Sequence, residues 1–278
     1  MINSTLKIDY KIKKIQELRA IHAISESGVD VLIPKKQEVK FKMLKKKFNM
    51  KYKVSDKDAV FKMSEVLSIN HETPKTGINE LNKPLIFPLV ITSYCKTLWK
   101  EERCFKYTFA GLITQSRNEL ISNWVKNNIT SEKFSLPITD SFKNKWRSKF
   151  FNFFNIDSTV SLKIGELVIW SSNRGRKFPI KAWDDEYFKV LGQSKFVLCP
   201  SGVCIWSYRF FESILCGAIP IVDENCEAYE GFRFKYLSED ASTFVWSQED
   251  AEFNYKLCIE RITIDSSLIR NEINNKNK

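Results

Sequence analysis

The sequence predicts an α/β protein of two lobes, a reduced one over residues 1–100 and a larger one over 101–278 built on a parallel sheet. Three observations predict it. From Lys106 onward, apolar runs of strand length alternate with amphipathic helical stretches. The joins between them are short and rich in Gly and Ser, as in sheets whose helices cover both faces. Before residue 100 similar elements recur, but irregularly and with a lysine-rich interruption.

In the first lobe, Ile15, Leu18, Ile21 and Ile24 fall at helical spacing within Ile12–Ser25, and Gly28 ends that helix. Val29–Pro34 is a short apolar strand. Lys35–Lys53 holds nine lysines against one acid, Glu38, with Val39, Phe41, Met43, Leu44 and Phe48 among them. A solvated helix face is its plainest form; the same composition also suits peripheral contact with an anionic membrane or an acidic glycan. The stretch from His71 to Lys83, with Pro74 and Gly77, reads as a polar loop. Leu85–Thr92 reads as a strand, placed at an edge or an end by Pro88.

In the second lobe, Lys106–Ala110 is a strand, Gly111–Ser116 a turn, and Arg117–Lys126 a helix with Leu120, Ile121, Trp124 and Val125 as its apolar stripe. A polar, aromatic-rich connection follows over Asn127–Ser161. Glu166–Trp170, Lys195–Cys199 and Ala218–Val222 are then strands, and Asp184–Leu191, Trp206–Leu215 and Gln248–Ile264 helices. The tail Asn271–Lys278 reads as frayed. Ligands of parallel sheets sit outside the carboxyl ends of the strands, so the turns after these strands are where a site is expected.

The formal charge is +11, from 44 Lys and Arg against 33 Asp and Glu, which favours anionic partners. Lys, Asn and Ile are abundant throughout, and that bias is an equally good source of the excess. No helix-turn-helix, RNP-like or zinc pattern appears and the aromatics fall mainly at core spacing, so a nucleic-acid partner is not expected. Neither G-x-G-x-x-G after a strand nor a G-x-x-x-x-G-K-[ST] loop is present, which argues against dehydrogenases and P-loop enzymes. The seven cysteines include no Cys-x-x-Cys pair, and no secretory leader or membrane-length apolar run is seen. A cytoplasmic, reduced and metal-free protein is the expectation.

The most informative segment is Leu191–Asp223, LGQSKFVLCPSGVCIWSYRFFESILCGAIPIVD. Phe196–Cys199 is a buried strand, and Pro200, Ser201 and Gly202 make a sharp turn that exposes backbone N–H groups. A helix starts near Ser207, so its positive end lies close to that turn. Arg209, in the first helical turn, can reach a phosphate; Glu212, three residues on, faces the same side and can accept from a ribose diol. Gly217 then ends the helix. Upstream, Ser171 to Arg174 follow a strand at its carboxyl end, a place suited to a base or sugar and equally to an ordinary polar loop. Arg174, Arg176 and Lys177 crowd three cations there.

SKFVLCPSG and SYRFFESILCGAIPIV resemble the donor-binding half of exostosin-type glycosyltransferases. The shared pattern is a strand, a Cys-Pro-x-Gly-like turn, Arg and Glu on a helix, then a Gly-x-x-Pro-[IV] strand. KYTFAGLITQSRNEL is similar to the strand, Gly-rich turn and Arg helix that open the donor lobe, so the likeness runs from about Lys106 to Ile221. The resemblance implies a GT-B-like fold of two Rossmann-like lobes, the N-terminal one reduced and on the acceptor side. It implies that Gly111, Thr114, Arg117, Ser201, Gly202 and Arg209 approach the donor diphosphate and that Glu212 holds the ribose. The co-substrate implied is a nucleoside-diphosphate sugar, UDP-sugar foremost, with no further cofactor, and the acceptor a glycan or lipid-linked hydroxyl in polysaccharide biosynthesis. Many retaining enzymes of this fold carry a glutamate eight positions before the second; Cys204 stands there, which favours inversion. Inversion needs a base for the attacking hydroxyl, and of the two imidazoles His71, in a polar loop beside Glu72, is better placed than His22 on its helix. An Asp or Glu is an open alternative for the base. An inactive relative that only binds, or less readily a nucleic-acid-binding module, are the other readings.

Overall fold

The computed structural model describes residues 5–57, 61–130, 136, 159–172 and 182–275. Their contacts divide into two units. One runs up to Tyr94 and includes 182–184 and the chain from Ile259 on; the other takes Cys95–Ser172 and Asp185–Cys258.

In the first unit four short parallel strands, β1 (Thr5–Lys7), β2 (Asp30–Ile33), β3 (Lys53–Val54) and β4 (Phe61–Lys62), stand in the order β3-β2-β1-β4. Helix α1 (Ile15–Glu26) is where its apolar spacing predicts. The Glu17 carboxylate accepts from the N–H groups of Lys13 and Lys14 at its start, and Gly28, at φ 85°, follows its end. The lysine-rich stretch forms a 3₁₀ turn over Lys35–Lys40 and then α2 (Lys42–Phe48). Phe41, Leu44 and Phe48 turn inward while Lys42, Lys45 and Lys46 are exposed, the pattern of a solvated face.

Three expectations fail in this unit. The stretch read as a polar loop instead builds an antiparallel sheet of β5 (Leu67–Asn70), β6 (Lys75–Ile78) and β7 (Leu81–Lys83). Lys75 and Asn82 are exposed while Thr76, Gly77 and Ile78 are buried, and Asn79 at φ 51° supplies the left-handed residue that a two-residue turn requires. Leu85–Thr92 is not a strand: helix α3 (Leu89–Thr97) begins directly after Pro88. The Glu26 carboxylate accepts from the N–H groups of Leu89 and Val90 at 2.7 and 2.9 Å, an N-terminal cap supplied from a distant part of the chain. The tail as far as Asn275 is a last helix, Ser266–Asn275, with Ile269 and Ile273 buried and Arg270 Nε donating to the Ser27 carbonyl at 2.6 Å; 276–278 lie outside the described residues.

The second unit contains β8 (Phe105–Ala110), α4 (Gln115–Asn128), β9 (Thr159–Ile164), β10 (Leu167–Ser172), α5 (Asp185–Gly192), β11 (Ser194–Leu198), α6 (Tyr208–Leu215), β12 (Ile219–Val222) and β13 (Lys235–Tyr236). Their order is β13-β12-β11-β8-β10-β9, all parallel except β9, which runs against β10. The alternating strands and helices are as expected; β9 and β13 are additions at the two edges. On one face Tyr107, Phe109, Phe196, Leu198, Ile219 and Ile221 pack with Ile121, Trp124 and Val125 of α4. Thr108 points the other way, where the Ser194 hydroxyl pairs with its hydroxyl at 2.8 Å and with the Val190 carbonyl of α5 at 2.6 Å. Helices thus cover both faces of a largely parallel sheet, an α/β architecture. Among the described residues no helix is long and apolar enough to cross a membrane.

Candidate functional site

In the second unit the chain leaves β8 towards β10 on one side and returns to β11 on the other. The carboxyl ends of β8 and β11 therefore bracket the switch point of the sheet, the usual seat of a ligand in this architecture. After β8 the chain turns at Gly111 and enters α4, where the Thr114 hydroxyl caps the helix by accepting from Arg117 N at 3.3 Å. After β11 it enters α6, where the Ser207 hydroxyl accepts from Arg209 N at 3.2 Å. Arg117 and Arg209 both lie in the first turn of a helix, where a cation opposes the helix dipole.

The two turns interlock crosswise. Arg209, 7% exposed, donates from Nε to the Ala110 carbonyl at 2.6 Å and lies over the Phe109 ring at 4.5 Å. Its guanidinium rests on Gly111, at φ 151°, where any Cβ would collide with Nη2. Arg117 donates from Nε to the Ser201 carbonyl at 3.2 Å and from Nη1 to the Leu112 carbonyl at 3.3 Å. Its own Nη2 would stand 2.8 Å from a Cβ on Gly202. Each turn thus supplies a glycine that makes room for the arginine of the other.

Burial pushes the Arg117 guanidinium down to about 10, and the neighbouring charge of Arg209 adds to the effect. Arg209 Nη1 and Ser171 Oγ are buried without a hydrogen-bond partner among the described residues. In the ladder Trp170 pairs with Ala110, so Ser171, 1% exposed, continues the sheet edge beside Gly111. A buried polar group without a partner costs about 1–3 kcal/mol. An anion bound between Arg117 and Arg209 would offset the repulsion between them.

Glu212 is fully buried, and the Tyr187 hydroxyl of α5 donates to its Oε2 at 2.8 Å. Ser201 donates its N–H to Asp223 Oδ1 at 2.9 Å and its hydroxyl to Asp223 Oδ2. Gly111, Thr114, Arg117, Ser201, Gly202 and Arg209 are thus gathered at one sheet edge. Arg174, with Asn173, Arg176 and Lys177, lies outside the described residues. His71 belongs to the first unit, in the turn between β5 and β6; burial chiefly, and then Lys14, lower its pKa, which leaves it neutral at pH 7. His22, buried in α1 beside the Phe48 ring, is driven by desolvation down to about 4.

Sequence reasoning misses Asp223 and Tyr187. Asp223 directly follows β12, so the carboxyl-end rule itself was a signal for it. Tyr187 offers none, being one aromatic in a helix whose buried side also holds Phe188 and Leu191.

Residues 142–269 match the family model described as the RXYLT1 C-terminal domain. At a coarse level the match supports the exostosin-type resemblance and a glycosyltransferase-like protein. It takes in Ser171, Arg174, Ser201, Gly202, Arg209 and Glu212, and begins after Gly111, Thr114 and Arg117. No curated protein matches the chain.

Proposed function

We propose that the chain is a GT-B-type glycosyltransferase that moves a sugar from a nucleoside diphosphate, UDP foremost, to a hydroxyl of a glycan or lipid-linked acceptor. One observation carries this: two guanidiniums, the buried Arg209 and the half-buried Arg117, converge at the switch point of the sheet beside the Ser171 hydroxyl, which has no hydrogen-bond partner among the described residues. A diphosphate has the charge for such a place. As the bond between the anomeric carbon and the diphosphate oxygen breaks, negative charge grows on the leaving group. Cations already fixed around it stabilise that charge without reorganising, and without requiring a metal; the turn's own N–H groups are engaged, Ser201's with Asp223 and Gly202's with the Cys204 carbonyl. Gly111 and Gly202 make room for the two guanidiniums, Thr114 sets the start of α4, and Arg174 would add a further cation. Glu212 lies three residues after Arg209 on α6 and would accept from the ribose, anchored by Tyr187. Cys204, in place of a glutamate, favours inversion. His71, neutral at pH 7, is the candidate to take the acceptor proton.

Arg209→Ala tests the reading. Turnover with the preferred donor should fall roughly 10²–10³-fold, the loss typical of one transition-state donor, while the protein still unfolds cooperatively. Unchanged turnover would refute the site.

A further inference from the structure

We infer that Asp223 is a positioning residue that sets Arg117 for the donor diphosphate, acting through Ser201; this rests on the donor-site reading above. Asp223 follows β12, and Ser201 sits in the turn after the neighbouring β11. The Cys199 N–H donates to the Ile221 carbonyl at 2.7 Å, so the ladder carries the two strand ends side by side. Both hydrogen-bond donors of Ser201 then go to one carboxylate, the N–H to Oδ1 at 2.9 Å and the hydroxyl to Oδ2. Asp223 thus holds Ser201 from the side of its N–H, and the Gly202 N–H, which shares a peptide with the Ser201 carbonyl, donates to the Cys204 carbonyl at 3.2 Å; held on both sides, the Ser201 carbonyl accepts from Arg117 Nε, 3.2 Å away.

The relay has a chemical reason. A carboxylate bonded directly to the guanidinium would compete with the diphosphate for the same fork of N–H groups. Among the described residues both hydrogen bonds of the Arg117 guanidinium instead go to neutral carbonyls, those of Ser201 and Leu112. Asp223 steers the arginine from one peptide away, and its charge partly offsets the field of Arg209 on Arg117. Ser201 on this account does not bind the diphosphate through its hydroxyl; it orients the residue that does. Gly202, next in the chain, leaves the space that the oriented guanidinium fills.

The test is calorimetric titration with inorganic pyrophosphate and with UDP, GDP, CDP and ADP. The proteins are wild type, Asp223→Ala, Asp223→Asn, Arg117→Ala and the Arg117→Ala/Asp223→Ala double variant. Asp223→Ala should weaken pyrophosphate binding by about tenfold, the cost of an unoriented charged donor. Asp223→Asn, which still accepts from the Ser201 N–H, should return to within about threefold of wild type. In the Arg117→Ala background, Asp223→Ala should change affinity by less than about twofold, because its effect runs through that arginine. An equal tenfold loss in that background, or wild-type affinity in Asp223→Ala, would overturn the inference and leave the donor site standing. A wild-type protein that binds neither pyrophosphate nor any of the nucleotides would overturn both. Should Asp223→Ala not fold, Ser201→Ala reads the same linkage, with a smaller loss that must likewise vanish without Arg117.

Discussion

Replacing Gly111 by Ala asks whether Arg209 has to lie where it does. Two costs follow from the structure. Gly111 stands at φ 151°, a conformation that residues with a side chain rarely adopt, and holding Ala there costs about 1–3 kcal/mol of stability. The new methyl would also fall on Nη2 of Arg209. Relaxed heavy-atom contacts sit at about 3.5–4.0 Å, so the guanidinium must retreat by on the order of 1 Å. That retreat disturbs the Nε bond to the Ala110 carbonyl, 2.6 Å long, and the stacking on Phe109. A hydrogen bond to a charged group contributes about 1.5–3 kcal/mol, so affinity for a nucleoside diphosphate should fall roughly 10–150-fold. Gly165→Ala is the control: Gly165 also has positive φ, 52°, but its neighbour is Ile129 and not Arg209. It should lose stability with donor affinity unchanged. Calorimetric titration and thermal unfolding of both variants separate the two costs. Gly111→Ala binding within twofold of wild type would refute the reasoning that Gly111 exists to seat Arg209.

Tyr187→Phe removes the phenol that donates to the buried Glu212 carboxylate and should cost about 1–3 kcal/mol, seen as a lower unfolding temperature; an unaltered temperature contradicts the anchoring role. Stability should also depend on pH through His22. Burial holds its folded pKa at about 4, below the ordinary 6.5, so below pH 6.5 the unfolded chain binds more protons than the folded one. This contribution is complete above pH 6.5 and is lost as pH falls towards 4, by about 3 kcal/mol in all. Urea unfolding of wild type and His22→Leu across that window should show a flatter profile in the variant, and parallel profiles would contradict the assignment.

The strands and helices around the donor edge were legible because each signal is local. β8, β11 and β12 are apolar runs of strand length, and α4 and α6 begin at Thr114 and Ser207, residues that cap helices well. Where the deciding partner is remote, legibility ends. Leu89–Thr97 is a helix because Glu26, more than sixty residues earlier, accepts from its first N–H groups. β13 has two residues and β6 is half polar, and each is a strand because a neighbour completes its hydrogen bonds. The site divides in the same way. Arg117 and Arg209 could be picked out as cations near exposed turns, but their glycine seats come from the opposite turn, and Arg209 lies 99 positions along the chain from the Ala110 carbonyl it bonds. Ser201 was legible as a polar turn residue; that its hydroxyl faces Asp223 was not.

The most direct test of the central claim is a thermal-shift comparison of the purified protein with UDP, GDP, CDP and ADP, with and without a divalent metal. Stabilisation by one of these nucleotides, independent of metal and lost in Arg209→Ala, is the predicted result and identifies the base. An absence of any shift with all four would contradict a donor diphosphate site at Arg117 and Arg209.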